Sequence, residues 1–443
     1  MKKILTAFLV MVMTLTSFSF VGCGKREGVL KVYNVGEYMD ESVIDGFADW
    51  YANETGETIT VQYKTYSTNE DMYTEIYKKN ADYDVVVGSD YIISRMLRND
   101  LLLPIDRDLV YGGKSEKEVV SPRIYEFVND YENWDSREDY TDEVRYSVPY
   151  MWGTFGIMYR NDLVVDSKGN NAFYWKNLSW DTLFKEGEFE GVRYMKNSIR
   201  DAYASASIVA NADALSLASN GFTDYGEQYQ ALLNSIINDT SKANMERVET
   251  TLKEQKKYLF AYESDDGKDD MITTWPSGWY GLFWSCDAGY AMEDSTDLYY
   301  GVPKEGANVW VDGFVIPKYA GNKECAQYFL QYLCSYDVAY LNRDYAGCSS
   351  PIKEVSDDTE SVMRTAWEYV KNGTEYDTES EDAEDIEYYV EYFTETNDDF
   401  GDMYIDMLFP SDEVLSRCAV MKDSSAKACV DMAKMWISVK AGA

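Results

Sequence analysis

The chain has 443 residues, with 78 acidic side chains against 41 basic ones, a formal net charge of −37 and no histidine. A polyanion of this kind repels nucleic acid and acidic lipid head groups, whose phosphates require clustered Lys and Arg, and it concentrates cations near its surface. Without imidazole there can be no Ser-His-Asp or Cys-His pair, no HExxH zinc site and no histidine general base, whereas carboxylate-only chemistry passes the filter.

Lys2 and Lys3 precede a run from Ile4 to Val21 that carries no charge, the pattern of a secretory signal. A run of that length also approaches the roughly 20 residues that span a bilayer, so the boundary has to decide. Phe20-Val21-Gly22-Cys23 sets a small residue before a lone cysteine, and this resembles the bacterial lipoprotein signal. The resemblance implies that residues 1–22 are removed, that Cys23 is acylated and held in membrane lipid, and that 23–28 form a linker. The bulk of the chain then lies outside the cytoplasm, anchored to the outer face of the cell membrane.

Leu30 to Tyr33 reads as a short apolar strand ending in the loop Asn34-Val35-Gly36-Glu37-Tyr38. A helix should follow, capped by Asp40, with Val43, Ile44, Phe47, Ala48 and Tyr51 on one face. Thr58 to Tyr63 is a second strand, Asn69 caps a second helix, and Asp84-Val85-Val86-Val87-Gly88 has the continuous apolar run of a strand buried in a parallel sheet. This alternation predicts an α/β fold. Ligands of such sheets bind at the carboxyl ends of the strands, here the loops 34–38 and 88–91.

Two later segments read as chain crossings, Tyr146 to Thr154 and Gly301 to Asp312. Asp265 to Asp270 faintly echoes a calcium loop but lacks the EF-hand spacing, and is read as a turn. Thr374 to Asp402 carries thirteen acidic residues and no basic one. Its interleaved Ile386, Tyr388, Tyr389, Val390, Tyr392 and Phe393 predict a docked acidic helix. Seven cysteines occur and none forms a CxxC pair, so neither structural zinc nor thioredoxin-like chemistry has support. With Cys23 acylated, the other six are open to disulfide pairing or to life as buried thiols.

In order and spacing, the run Val32–Asp108, the segment YSVPYMWGT at Tyr146–Thr154 and the segment VPKEGANVWVD at Val302–Asp312 resemble the periplasmic spermidine/putrescine-binding proteins of ABC importers. The likeness spans roughly Leu30 to Pro351, weakens over Ser198–Lys253, and is poor beyond Pro351. It implies a two-lobed type II periplasmic-binding-protein fold with the ligand cleft between lobes. The expected division is residues 29–153 plus 311–355 in lobe 1 and 154–310 plus 356–443 in lobe 2, with 374–402 as an acidic insertion. It further implies a monomer that binds a polyamine without a cofactor and hands it to a membrane permease, with no enzymatic activity.

By motif position the resemblance assigns ligand contacts to Glu37 and Tyr38 of the first loop, Ser89 and Tyr91 after the triple-valine strand, Asp201, Trp284, Trp310 and Asp312, with Ser264 as a further polar contact. The residue types suit the chemistry. A polyamine needs carboxylates for its ammonium groups and electron-rich walls for its methylenes; a cation–π contact contributes roughly 0.5–2 kcal/mol and a hydrogen bond to a charged group roughly 1.5–3 kcal/mol. Micromolar affinity requires about 8 kcal/mol, so several such contacts must converge. The chain departs from the pattern at Val35, where many relatives carry Trp, at Gly36, which loses a hydroxyl, at Ser198, which replaces a carboxylate, and at Cys348, where relatives often have Tyr. These departures leave the preferred amine open, with another amine, an opine-like compound or a sugar as alternative ligands. A carboxylate-based hydrolase would need a carboxylate pair that nothing in the sequence singles out.

Overall fold

The computed structural model describes residues 28–79, 82–132, 144–164, 173–185, 192–263, 267–273, 279–396 and 399–441. The leader, Cys23 and Ser264 lie outside the described residues.

The first third alternates strands and helices: β1 (Val29–Val35), α1 (Glu41–Thr55), β2 (Thr60–Tyr66), α2 (Asn69–Lys79), β3 (Val85–Ser89) and α3 (Asp90–Arg98). Asp40 caps α1 as expected, its carboxylate accepting from the Ser42 N–H at 2.7 Å, while Val43, Phe47 and Tyr51 face the core. β2 starts two residues later than its apolar pattern suggests and runs to Tyr66, because it pairs in parallel with β1 from Val29–Thr60 through Val35–Tyr66. Asn69 does not cap α2. The Thr68 hydroxyl accepts the Asp71 N–H at 3.2 Å, and the Asn69 amide is turned instead to Ser89.

Two long antiparallel strands then form a spine. These are β5 (Ser147–Arg160) and, after β6 (Arg193–Lys196), α4 (Ile199–Ala210), β7 (Ala261–Glu263), α5 (Gly267–Ile272), β8 (Tyr280–Trp284), α6 (Ser285–Asp294) and β9 (Leu298–Gly301), the strand β10 (Ala307–Pro317). The sheet order is β2-β1-β3-β10-β5-β8-β6-β7, with β9 beside β5. The spine thus carries one flank of β1–β3 and another of β6–β8; of the two segments read as crossings, Ser147–Thr154 falls on β5 and Ala307–Asp312 on β10, while Gly301 ends β9. β3 is parallel to β1 but antiparallel to β10, so its apolar run belongs to a mixed sheet and not to a wholly parallel one. Every residue of β5 is buried, as a strand at the centre of such a sheet must be.

The region read as a turn at 265–270 enters the helix α5 at Gly267. Farther on, α7 (Lys353–Asn372) receives α8 (Ala383–Thr394), which buries Ile386, Tyr389 and Phe393 and leaves Tyr388 exposed. The Phe393 ring lies 5.5 Å from that of Trp367 on α7. The acidic segment is therefore docked through one aromatic stripe while its carboxylates face water. The chain closes with a short strand β11 (Cys418–Ala419), paired to β10, and the helix α9 (Ala426–Ala441). Among the described residues no helix is long and apolar enough to cross a membrane.

Candidate functional site

Antiparallel pairing of β3 and β10 sets Ser89 directly opposite Asp312. The Tyr38 hydroxyl, from the loop after β1, donates to Asp312 Oδ2 at 2.8 Å, and the Ser89 side chain also bonds this carboxylate. Asn69 Nδ2 donates to Ser89 Oγ at 2.9 Å, which occupies the serine's acceptor side and leaves its proton for Asp312. A register shift follows Asp312 within the β5–β10 pairing, a local irregularity of the kind that re-aims a strand side chain. Burial raises the pKa of Asp312, and the two hydroxyl bonds oppose the rise. No Lys or Arg among the described residues forms an ion pair with it.

Trp310 stands two residues before Asp312 on the same face of β10. It packs over Gly153, where a Cβ would lie 2.7 Å from Trp310 Cζ2 and 2.2 Å from Ser285 Oγ. Only glycine at 153 lets Trp310 approach the β8–α6 junction. Trp284, which ends β8, donates its indole Nε1–H to Asp201 Oδ2 at 3.2 Å. Asp201 is buried in the first turn of α4, and that burial raises its pKa against the hydrogen bonds of Ser198 and Trp284. Ser198 caps α4, its hydroxyl accepting the Asp201 N–H at 3.3 Å.

Tyr91, in the first turn of α3, donates its hydroxyl to Glu70 Oε1 at 3.2 Å. Its ring is covered by the Arg200 guanidinium at 4.4 Å. Glu37 stands apart: it is exposed in a left-handed turn (φ 53°) and makes no hydrogen bond or ion pair with another described residue. The structure thus gathers Tyr38, Ser89 and Asp312 into one bonded group, Asp201 and Trp284 into another, and sets Trp310 between them.

Several residues here were not singled out from the sequence. Asp90 is buried beside Asp312, its carboxylate accepting the Tyr91 N–H at 2.6 Å. Burial first, then the neighbouring Asp312 charge, pushes its pKa to about 8. Lys196 pairs with Asp287 at 2.7 Å and lies 4.0 Å from the Trp284 ring centre. Asn69 and Arg200 complete the group. Lys196 and Arg200 lie in the stretch Met195 to Asp201, which ends on an assigned contact, but nothing local marks them as neighbours of Trp284 and Tyr91. Cys286 and Cys348 form a disulfide with Cα atoms 4.6 Å apart, joining α6, next to Trp284, to the loop after Gly347. Four of the remaining cysteines, Cys325, Cys334, Cys418 and Cys429, are free thiols. Among the described residues no cluster of three or more Cys, Asp or Glu is placed to hold a metal ion.

Residues 47–372 match the family described as bacterial extracellular solute-binding proteins. This chain belongs to that family. Its relatives are substrate-binding proteins of transporters, and it is a binding protein and not an enzyme. The solute-binding chain is 27% identical to the spermidine/putrescine-binding periplasmic protein of Escherichia coli over 73% of its own length and 77% of the relative's. It is 25% identical to the putrescine-binding periplasmic protein PotF of the same organism, over 71% and 75%. Among solved structures it resembles the substrate-binding protein PotD of Streptococcus pneumoniae, with a TM-score of 0.62 at 21% identity over 94% of this chain and 99% of that one. The TpPotD lipoprotein of Treponema pallidum gives a TM-score of 0.61 at 19% identity, over 93% and 99%. The fold is thus the two-lobed α/β fold of periplasmic solute-binding proteins.

Proposed function

We propose that this binding protein captures a polyamine-type cation, spermidine or putrescine, in an acidic, aromatic-lined cleft and presents it to the permease of an ABC importer. The observation that carries this reading is Asp312: a half-buried carboxylate steadied by two hydroxyl groups, beside an indole, with no ion-pair partner among the described residues. An ammonium entering there would exchange its hydration for a charge-assisted bond and an aromatic face. The names of the relatives in Escherichia coli point to the same ligand class.

On this reading lobe 1 comprises residues 29–153 and 311–355 and lobe 2 comprises 154–310 and 356–443, the spine strands β5 and β10 acting as hinges. Tyr38, Ser89 and Asp312 then face Asp201 and Trp284 across the cleft, so a ligand touching both lobes favours the closed form. Cys23 anchors the protein in lipid at the outer face of the membrane.

Titration calorimetry against putrescine, spermidine, other amines, amino acids and sugars tests the reading, with thermal shift as a second readout. A ligand at 100 times its Kd stabilises the fold by about 2.7 kcal/mol. Stabilisation by a sugar alone, with no response to any amine, would overturn it. A second reading, another small organic cation, is favoured by the position of Lys196 against Trp284.

A further inference from the structure

Lys196 ends β6 and is 4% exposed. Its ammonium lies 4.0 Å from the Trp284 ring centre and 2.7 Å from Asp287 Oδ2. An ammonium over an indole face with a carboxylate beside it is the arrangement that a bound alkylammonium would itself adopt. The protein has therefore supplied, from one of its own side chains, the cation that this end of the cleft is built to hold.

The charges divide accordingly. Around Trp284 stand the carboxylates of Asp287 and Asp201 and the cations of Lys196 and Arg200, the latter two both acting on Asp201. Among the described residues that end sets two cations against two carboxylates. Around Asp312 the partners are the hydroxyls of Tyr38 and Ser89, and no described cation pairs with it. A second ammonium arriving at Trp284 would meet Lys196 in like-charge repulsion, in a buried setting where such repulsion is strong. Between the two ends, Trp310 Nε1 is buried with no hydrogen-bond partner among the described residues. An N–H donor is satisfied by a hydroxyl or carbonyl oxygen and not by an ammonium, which has no lone pair.

We propose that Lys196 is a specificity-determining residue that fills the second ammonium position of the cleft, so that the site takes an organic amine with one ammonium, held at Asp312, and an uncharged, oxygen-bearing tail. The proposal rests on the cleft assigned above and develops its second reading, another small organic cation, in place of spermidine or putrescine.

Calorimetry on the wild-type protein with putrescine and 4-aminobutan-1-ol makes the comparison, since the two differ only in whether the far group is an ammonium or a hydroxyl. The amino alcohol is expected to bind at least as tightly as the diamine; tighter binding of putrescine would overturn the proposal. Lys196→Met should shift the ratio towards putrescine at least tenfold by freeing Asp287, while Lys196→Arg should leave it unchanged. A folded Lys196→Met protein with the wild-type ratio would also overturn the proposal. If Lys196→Met does not fold, the wild-type comparison decides alone. Failure of every amine to bind would instead overturn the cleft reading, and this inference with it.

Discussion

Ser89 and Asp312 face each other across the pairing of β3 and β10, and the amide of Asn69 fixes the direction in which the serine proton points. Because Asn69 donates to Ser89 Oγ, the hydroxyl is left to donate to Asp312. On the cleft reading, the anionic centre is thereby held by a residue that touches neither the carboxylate nor the ligand.

Replacing Asp312 with Asn removes the charge that a bound ammonium would answer. Amine binding should weaken by about 2–5 kcal/mol, as for one partner of a buried charge pair, while the Tm of the ligand-free protein should hold or rise because a desolvated carboxylate has been removed. Calorimetry and thermal unfolding on the same preparation check both halves. Asn69→Ala should give a smaller loss of affinity, near tenfold, by freeing the Ser89 hydroxyl to rotate.

Asp90 gives the surroundings of Asp312 a pH dependence of defined sign. Its pKa rises from 3.8 to about 8 on folding, so the folded state binds this proton more tightly than the unfolded chain. The stability contributed by the proton is complete below about 4 and is lost as pH rises through about 8. A cation at Asp312 favours the ionised Asp90, so amine affinity should increase over the upper part of that window. In Asp90→Asn the Tm should fall less with pH than in the wild type, and the affinity should be flatter. Identical pH profiles for the two proteins would refute this account.

The ion pairs of Asp423 with Arg95 at 2.9 Å and Arg98 at 3.0 Å fasten α3 to the chain just before α9. The same stretch holds Arg200, whose Nη2 donates to the Lys422 carbonyl at 2.6 Å. α3 belongs to the β1–β3 flank and Arg200 to the other, so these contacts cross from one flank to the other. Asp423→Ala should populate a more open form and raise the Kd for ligand severalfold through faster dissociation. Small-angle scattering should show a larger radius of gyration without ligand, returning to the wild-type value at saturation. A radius unaffected by either the substitution or the ligand would contradict hinge closure.

Cys23→Ser should release the protein from the membrane fraction if acylation at that cysteine is the anchor. Cell fractionation with an antibody to the soluble portion is sufficient. Full retention of the variant would indicate instead that residues 4–21 remain as an uncleaved anchor.

The α/β alternation and the stripe of the acidic helix were legible because each rests on local periodicity. Asp40 could be read as a cap because nothing distant competes for it. Asn69 could not, since Ser89 takes its side chain from 20 residues away. Asp312, Ser89 and Tyr38 were named by motif and are brought together by strand pairing, whereas Glu37, assigned by the same means, is turned to solvent. Lys196, Asp287 and Asp90 escaped notice because their meaning lies in burial and neighbours. A lysine at a strand end carries no local sign that an indole from 88 residues farther along the chain will cover it.

The bond between Cys286 and Cys348 ties the junction that carries Trp284 to chemistry that the cytoplasm does not support. While the chain is reduced, the junction carrying Trp284, Ser285 and Asp287 has no covalent tether to the loop at Gly347. Its geometry is then held by non-covalent contacts alone, the Trp284–Asp201 hydrogen bond and the Lys196–Asp287 ion pair among them. On the function proposed above, oxidation after export would tighten this wall last, and a copy still reduced would bind its ligand less well.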